Sequence, residues 1–252
     1  MKRYTGLLVA VLCFGAGHVL SSAEVASGDA VVREMFHRYQ DDWYDTMKFT
    51  QKSTTYNPDG TTKVETWYEA AILPGKLRID FGSPADANTA ILTDGKVFFF
   101  QKGKLAVTRP QLNLLLVLGF DVYRQQPQVT LAQLKQEGID TSKFHEETWQ
   151  GEPVYVVGAD QGDLKSKQFW VEKKRMLFVR IIEPDRREPS KLDDTRFLNY
   201  RRLPRGLIAE RVEVHSEGKL TFTEEYSAVE TAIPLDPTLF DPQTFEAQHQ
   251  SK

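Results

Sequence analysis

Cysteine is almost absent from this chain: of 252 residues, only Cys13 carries a thiol. Everything after it can form no disulfide and offers no thiol nucleophile. The nucleophile elbow G-x-S-x-G, the P-loop and the dinucleotide fingerprint are all missing. The later histidines, His37, His145, His215 and His249, stand at no metal-ligand spacing from one another. No metal, cofactor or catalytic residue is therefore expected. An excess of positive charge is missing too. The formal net charge is −3, and setting aside Lys2 and Arg3 makes the remainder more acidic, which favours neither nucleic acid nor an anionic membrane. After the N-terminal stretch, no apolar run is long enough to cross a bilayer as a helix.

That stretch has a reading of its own. Lys2 and Arg3 precede an apolar run over residues 6–20 interrupted only by His18, and Ser21, Ser22 and Ala23 follow. This is the pattern of an export signal, expected at residues 1–23 with cleavage after Ala23. Leu12 stands before Cys13 where a lipidation signal would place a small residue, so no lipid anchor is expected. Residues 24–252 are expected to form one β-rich domain.

A helix over about 28–44, capped by Ser27 or Asp29, follows from the spacing of Val32, Met35, Phe36, Tyr39 and Trp43. Strands divided by Gly-containing turns come next, in the manner of an antiparallel meander of ten or eleven strands. Helices at 110–120, apolar nearly all round, and at 131–137 interrupt it. Residues 234–240 read as a tail docking Phe240 onto the core, with the last few residues frayed. Basic groups at Lys173–Lys174–Arg175, Arg186–Arg187 and Arg201–Arg202 with Arg205 read as solvated turns, or more sharply as a surface for an acidic partner.

Several strands are apolar on both faces, which a half-exposed strand is not. Val97-Phe98-Phe99-Phe100 is the extreme case; Phe169-Trp170-Val171 and Leu177-Phe178-Val179 are others. One large curved sheet with helices on its concave face explains them, with that face filled either by protein or by an apolar ligand. In residues 76–81, Leu77, Ile79 and Phe81 share one face. Arg78 shares the other with Asp80; turned inward it would meet a lipid headgroup or carbonyl, turned outward it is surface.

Three segments, KFTQ (48–51), LPGKLRIDFGSP (73–84) and ILTDGKVFFF (91–100), resemble in order and spacing the LolA/LolB superfamily of outer-membrane lipoprotein carriers. The resemblance implies a mainly β (α+β) fold: a curved antiparallel sheet forming a half-open β-barrel, with the N-terminal and inserted helices as a lid. It further implies a monomeric, non-enzymatic periplasmic carrier whose cavity takes the acyl chains of a lipoprotein or other lipid, received from an inner-membrane donor or passed to an outer-membrane acceptor. The same fold serves envelope sensors that regulate a membrane partner, which is the alternative. On this reading Trp67, Ile79, Phe81, Phe98, Phe100, Leu115, Leu118, Trp170 and Phe178 contribute to the cavity, Trp43 is a lid contact and Arg78 a polar contact. One departure stands out: the family's lid-holding arginine, just before a proline, is matched here by Leu73.

Overall fold

Two-residue turns set the architecture. Asp94-Gly95, Lys102-Gly103, Gln150-Gly151 and Glu217-Gly218 all have positive φ at both positions, the turn geometry whose twist matches that of antiparallel strands. The computed structural model describes residues 25–185 and 188–250, so the expected export signal and Arg186–Arg187 lie outside the described residues. Thirteen strands form within the described residues. They are β1 (Thr46–Tyr56), β2 (Thr62–Ile72), β3 (Lys76–Phe81), β4 (Thr89–Thr93), β5 (Lys96–Gln101) and β6 (Lys104–Pro110), then β7 (Phe144–Trp149), β8 (Glu152–Val157), β9 (Gln168–Glu172), β10 (Leu177–Pro184), β11 (Leu192–Arg202), β12 (Leu207–Ser216) and β13 (Lys219–Thr231). The count exceeds the ten or eleven expected, because each short run between turns, 89–93 and 96–101 included, forms a strand of its own.

All thirteen pair antiparallel in one sheet, in the order β6-β5-β4-β3-β2-β1-β13-β12-β11-β10-β9-β8-β7. The edges β6 and β7 do not meet, so the sheet is a curved, half-open barrel. Its concave face is covered by α1 (Gly28–Tyr39), α2 (Leu114–Gly119) and α3 (Pro127–Gln136), the last two inserted between the edge strands.

The helices form where expected, with shifted ends. Ser27 caps α1, its hydroxyl accepting from Ala30 N–H at 3.1 Å, and Val31, Val32, Met35, Phe36 and Tyr39 are its buried face. The helix stops at Tyr39 and does not run to 44. Arginines take up the carbonyls just past its end: Arg124 bonds Gln40 O and Arg205 donates to Asp41 O at 3.1 Å, so no further turn is needed to satisfy them. α2 begins at Leu114 because Asn113 is the better cap, accepting from Leu115 N–H at 3.0 Å; Pro110 ends β6. α3 starts four residues earlier than expected, on Pro127 at a first-turn position.

The doubly apolar strands are covered on both sides. On the concave face Ala90, Leu92 and Val97 join the main core beneath the helices. On the convex face Ile91, Phe98 and Phe100 pack against Phe240 and Phe245. Phe240 docks as expected, and the chain continues past it into a further helix, α4 (Pro242–Gln250), which carries Phe245; the last two residues lie outside the described residues. On the other wing the convex face carries Val154, Val156, Trp170 and Val179. There the Arg180 guanidinium lies 4.4 Å from the centre of the Trp170 ring and is held at 2.7 Å by Asp194, so an ion pair roofs the aromatics. The described basic turn residues are largely paired with acids, Lys173 with Glu146, Arg175 with Glu172 and Arg202 with Asp42, as solvated turns would be.

Candidate functional site

A cavity lies between the concave face and α2. Alternation along the central strands determines its lining: Met47 and Phe49 from β1, Trp67, Glu69 and Ala71 from β2, and Leu77 and Ile79 from β3 all project to the same side. β13 adds Glu224 and Tyr226, and β11 adds Phe197. Asn113, Leu115, Leu116 and Phe120 close it from the α2 side. The space left to a water-sized occupant is about 80 Å³, room for roughly two or three waters. α2 lies over a largely apolar chamber.

The chamber is not apolar throughout. Glu69 is buried and opposite Phe49 across the β1–β2 ladder. Burial, and then the Glu224 carboxylate, push its pKa well above the usual carboxylate value. Burial also raises Glu224, against the opposing effect of a hydrogen bond from Tyr226 Oη. Glu224 retains some exposed surface and lines the chamber. Between the two strands that carry these carboxyls sits Gln51 of β1, which opposes Trp67 on one side and Tyr226 on the other. Gln51 Nε2 donates to Ser53 Oγ at 2.8 Å. Its Oε1 and the Trp67 indole Nε1 are buried without a hydrogen-bond partner.

A buried carboxyl without a cation costs stability, and an isosteric neutral group does not. Glu69→Gln is therefore expected to stabilise the protein by about 1–3 kcal/mol at pH 8, with a smaller gain at pH 5 where Glu69 is protonated more readily. Urea unfolding at the two pH values reads this directly; a destabilisation at pH 8 would mean that Glu69 has an ionic partner.

The lid is fastened at its middle. Asp121, in the helical turn after α2, accepts the Gly75 N–H with both carboxylate oxygens 3.1 Å away. It is buried, and that burial lifts its pKa to about 7 despite the bond from Gly75. Arg124, three residues on, pairs with Asp45. Leu73 is buried in the main core beside this turn. The segment after α2 thus carries the charged groups, Asp121 and Arg124, and the β2–β3 turn at residues 73–75 supplies the Gly75 N–H and the apolar surface of Leu73.

No protein-family model matches the sequence, and no curated protein matches it either. Solved structures do. A DUF1329 family protein from Desulfovibrio piger is 14% identical, with a TM-score of 0.57 over 86% of this chain and 97% of that one. A LolA superfamily protein from Nitrosomonas europaea is 12% identical, with a TM-score of 0.51 over 82% of this chain and 96% of that one. The fold is LolA-like. A domain from Vibrio parahaemolyticus assigned to outer membrane lipoprotein sorting agrees, at 14% identity and a TM-score of 0.50, over 87% of this chain and 98% of that one.

The LolA-like half-barrel sorts the residues singled out from the sequence. Trp67, Ile79 and Leu115 line the chamber. Phe81 stands beside Trp67, the rings edge to face at 4.9 Å. Leu118 and Phe178 are fully buried in the main core and do not line the chamber, Phe178 packing on Phe197 at 4.8 Å. Trp43 is likewise fully buried, stacked on Tyr44 and against Tyr123, as a support under the lid. Phe98, Phe100 and Trp170 are corrections: they occupy the convex face, because their partners Ile91, Thr89 and Val156 set that parity. Arg78 is a correction to the inward reading, since it pairs with Asp80 at 3.0 Å and lies over the Phe245 ring at 4.9 Å, beneath α4. Glu69, Glu224 and Tyr226 were not anticipated. The first was within reach, since Glu69 shares the parity of Trp67 and Ala71.

Proposed function

We propose that this protein is an exported, periplasmic carrier that holds the acyl chains of a lipoprotein or another lipid between the concave face of the half-barrel and the α2 lid, without covalent chemistry. The observation that carries the reading is the apolar chamber closed by a short helix whose cap and fasteners are polar. Apolar burial without directed bonds retains an acyl chain at about 0.8 kcal/mol per methylene, and it does not discriminate sharply between chains. The chamber as it stands is too small for a full chain, so loading requires α2 to lift away and expose Leu115, Leu116 and Phe120. Structures assigned to the LolA superfamily and to lipoprotein sorting share this architecture.

The test is native mass spectrometry with lipid extraction on protein purified from its own cell envelope. Lipid near one equivalent per chain is the expected result. Protein that arrives empty and then fails to take up a fluorescent acyl probe would overturn the reading. Leu115→Asp should weaken probe uptake at least tenfold, because it puts a charge on the lid side of the chamber. The variant should stay folded by circular dichroism, since Leu115 is only partly buried.

A further inference from the structure

Along β1 the concave positions pass from Met47 and Phe49 to Gln51 and Ser53, and along β2 from Ala71 through Glu69 and Trp67 to Glu65. The chamber is therefore amphipathic end to end. Its body is apolar near Met47, Ala71 and Leu77, and it becomes polar toward the hairpin that joins β1 to β2. Two carboxyls, Glu69 and Glu224, face the chamber at the polar side. Among the described residues neither has a cationic partner. Glu69 has no hydrogen bond at all, and Glu224 receives hydrogen bonds only from neutral side chains, Tyr226 and Gln51.

A second set of groups at the same place is independently unfinished. Gln51 is almost wholly buried, is flanked by Trp67 and Tyr226 in the sheet register, and has a free acceptor in Oε1. Trp67 offers a free donor in Nε1. Directly opposed residues have Cβ atoms about 5 Å apart and diagonal neighbours about 7–8 Å, so one small group at the polar side reaches several of them. Buried acceptors left open in a protein interior are uncommon. Here Glu69 and the Gln51 amide oxygen lack donors beside the chamber, and Glu224 has only neutral ones.

We infer that this polar end is a headgroup site for an amphiphile bearing a primary ammonium group, held by Glu69 and Glu224 with Gln51 Oε1, while its chain runs toward Met47 and Leu77. An ammonium supplies three donors and the missing positive charge; an alcohol supplies one donor and no charge, and a carboxylate or phosphate adds like charge beside two acids. The Trp67 indole is left to donate to an oxygen of the same headgroup. The inference rests on the carrier reading and specifies which lipid chemistry the chamber selects.

The experiment titrates the purified protein at pH 7 with dodecylamine, dodecanol and dodecanoate, each below its micelle concentration, by displacement of a fluorescent acyl probe. The amine is expected to bind at least tenfold more tightly than the alcohol, and the carboxylate more weakly than either. In the Glu69→Gln/Glu224→Gln variant the amine and alcohol should bind within about threefold of each other, with the alcohol unchanged or tighter. Equal binding of amine and alcohol to the unaltered protein overturns the headgroup site and leaves the carrier standing. Failure of all three to bind overturns the carrier itself. Because the first comparison uses only the unaltered protein, a variant that misfolds does not rescue the inference.

Discussion

Asp121→Asn is expected to remove a loss of stability that the unaltered protein suffers as pH rises from about 4 to about 7. The carboxyl is buried, its pKa sits at about 7 in the folded chain, and in the unfolded chain it returns to about 4. Between those values the folded state binds the proton more tightly, so its stabilising contribution is complete below pH 4 and is lost as pH climbs through 7. Three units correspond to an effect on the order of 4 kcal/mol. Asparagine cannot ionise, yet its amide oxygen can still accept the Gly75 N–H. The gap between variant and parent should therefore widen toward high pH in urea unfolding curves, and curves that run parallel would show that Asp121 does not carry the effect. A local counterpart follows, because Asp121 joins the lid to the β2–β3 turn. Lifting the lid returns an ionised carboxylate to water, so above pH 7 opening becomes easier and acyl-probe uptake should quicken; in the Asn variant that acceleration should vanish.

Trp43→Ala is expected to cost about 3–5 kcal/mol, the range for removing a fully buried large aromatic. The indole is at the junction of three elements. It lies 5.1 Å from the Tyr39 ring at the end of α1 and 3.9 Å from Tyr123 in the lid insertion. The third is the β11–β12 turn, where a Cβ built on Gly206 would come within 3.0 Å of the indole. At its φ of +68°, Gly206 also occupies the left-handed region that side chains rarely adopt. Tyr123 in turn accepts the Phe178 N–H through its hydroxyl at 2.9 Å, so the aromatic stack ties the lid base to β10. Thermal and urea unfolding measure the loss; a change under 1 kcal/mol would mean that the cavity collapses without consequence. Trp43→Phe, which keeps a ring against Tyr123, should recover about half.

The fold was readable where one face of a strand was plainly marked. Leu77, Ile79 and Phe81 share a side in the sequence and in the sheet, because Arg78 and Asp80 between them are polar. Phe98 and Phe100 were assigned to the cavity and lie on the convex face, because alternation tells which residues share a face and not which face is inward. That choice is made by the pairing of Val97 with Leu92 and Phe98 with Ile91, and by α4, whose weakly amphipathic sequence gave no sign that it would cover Phe98 and Phe100. Glu69 could have been found by following the parity of Trp67. Glu224 could not: its neighbours Thr223 and Glu225 are polar too, and only the pairing of β13 with β1 turns it toward the chamber.

That pairing has a consequence for how the molecule comes together. Every neighbouring pair of strands in the sheet is consecutive in sequence except β1 and β13. The sheet is thus two ladders of local hairpins, each zipped by closing short loops. They are joined by one seam in which Met47 meets Thr231, a contact that closes most of the chain into a ring and has the largest loop entropy to overcome. Gln51 lies on one side of that seam and Glu224 and Tyr226 on the other, with Glu69 a strand away. Neither ladder alone contains the acidic end of the chamber, which comes into existence only when the last and most distant strands lock.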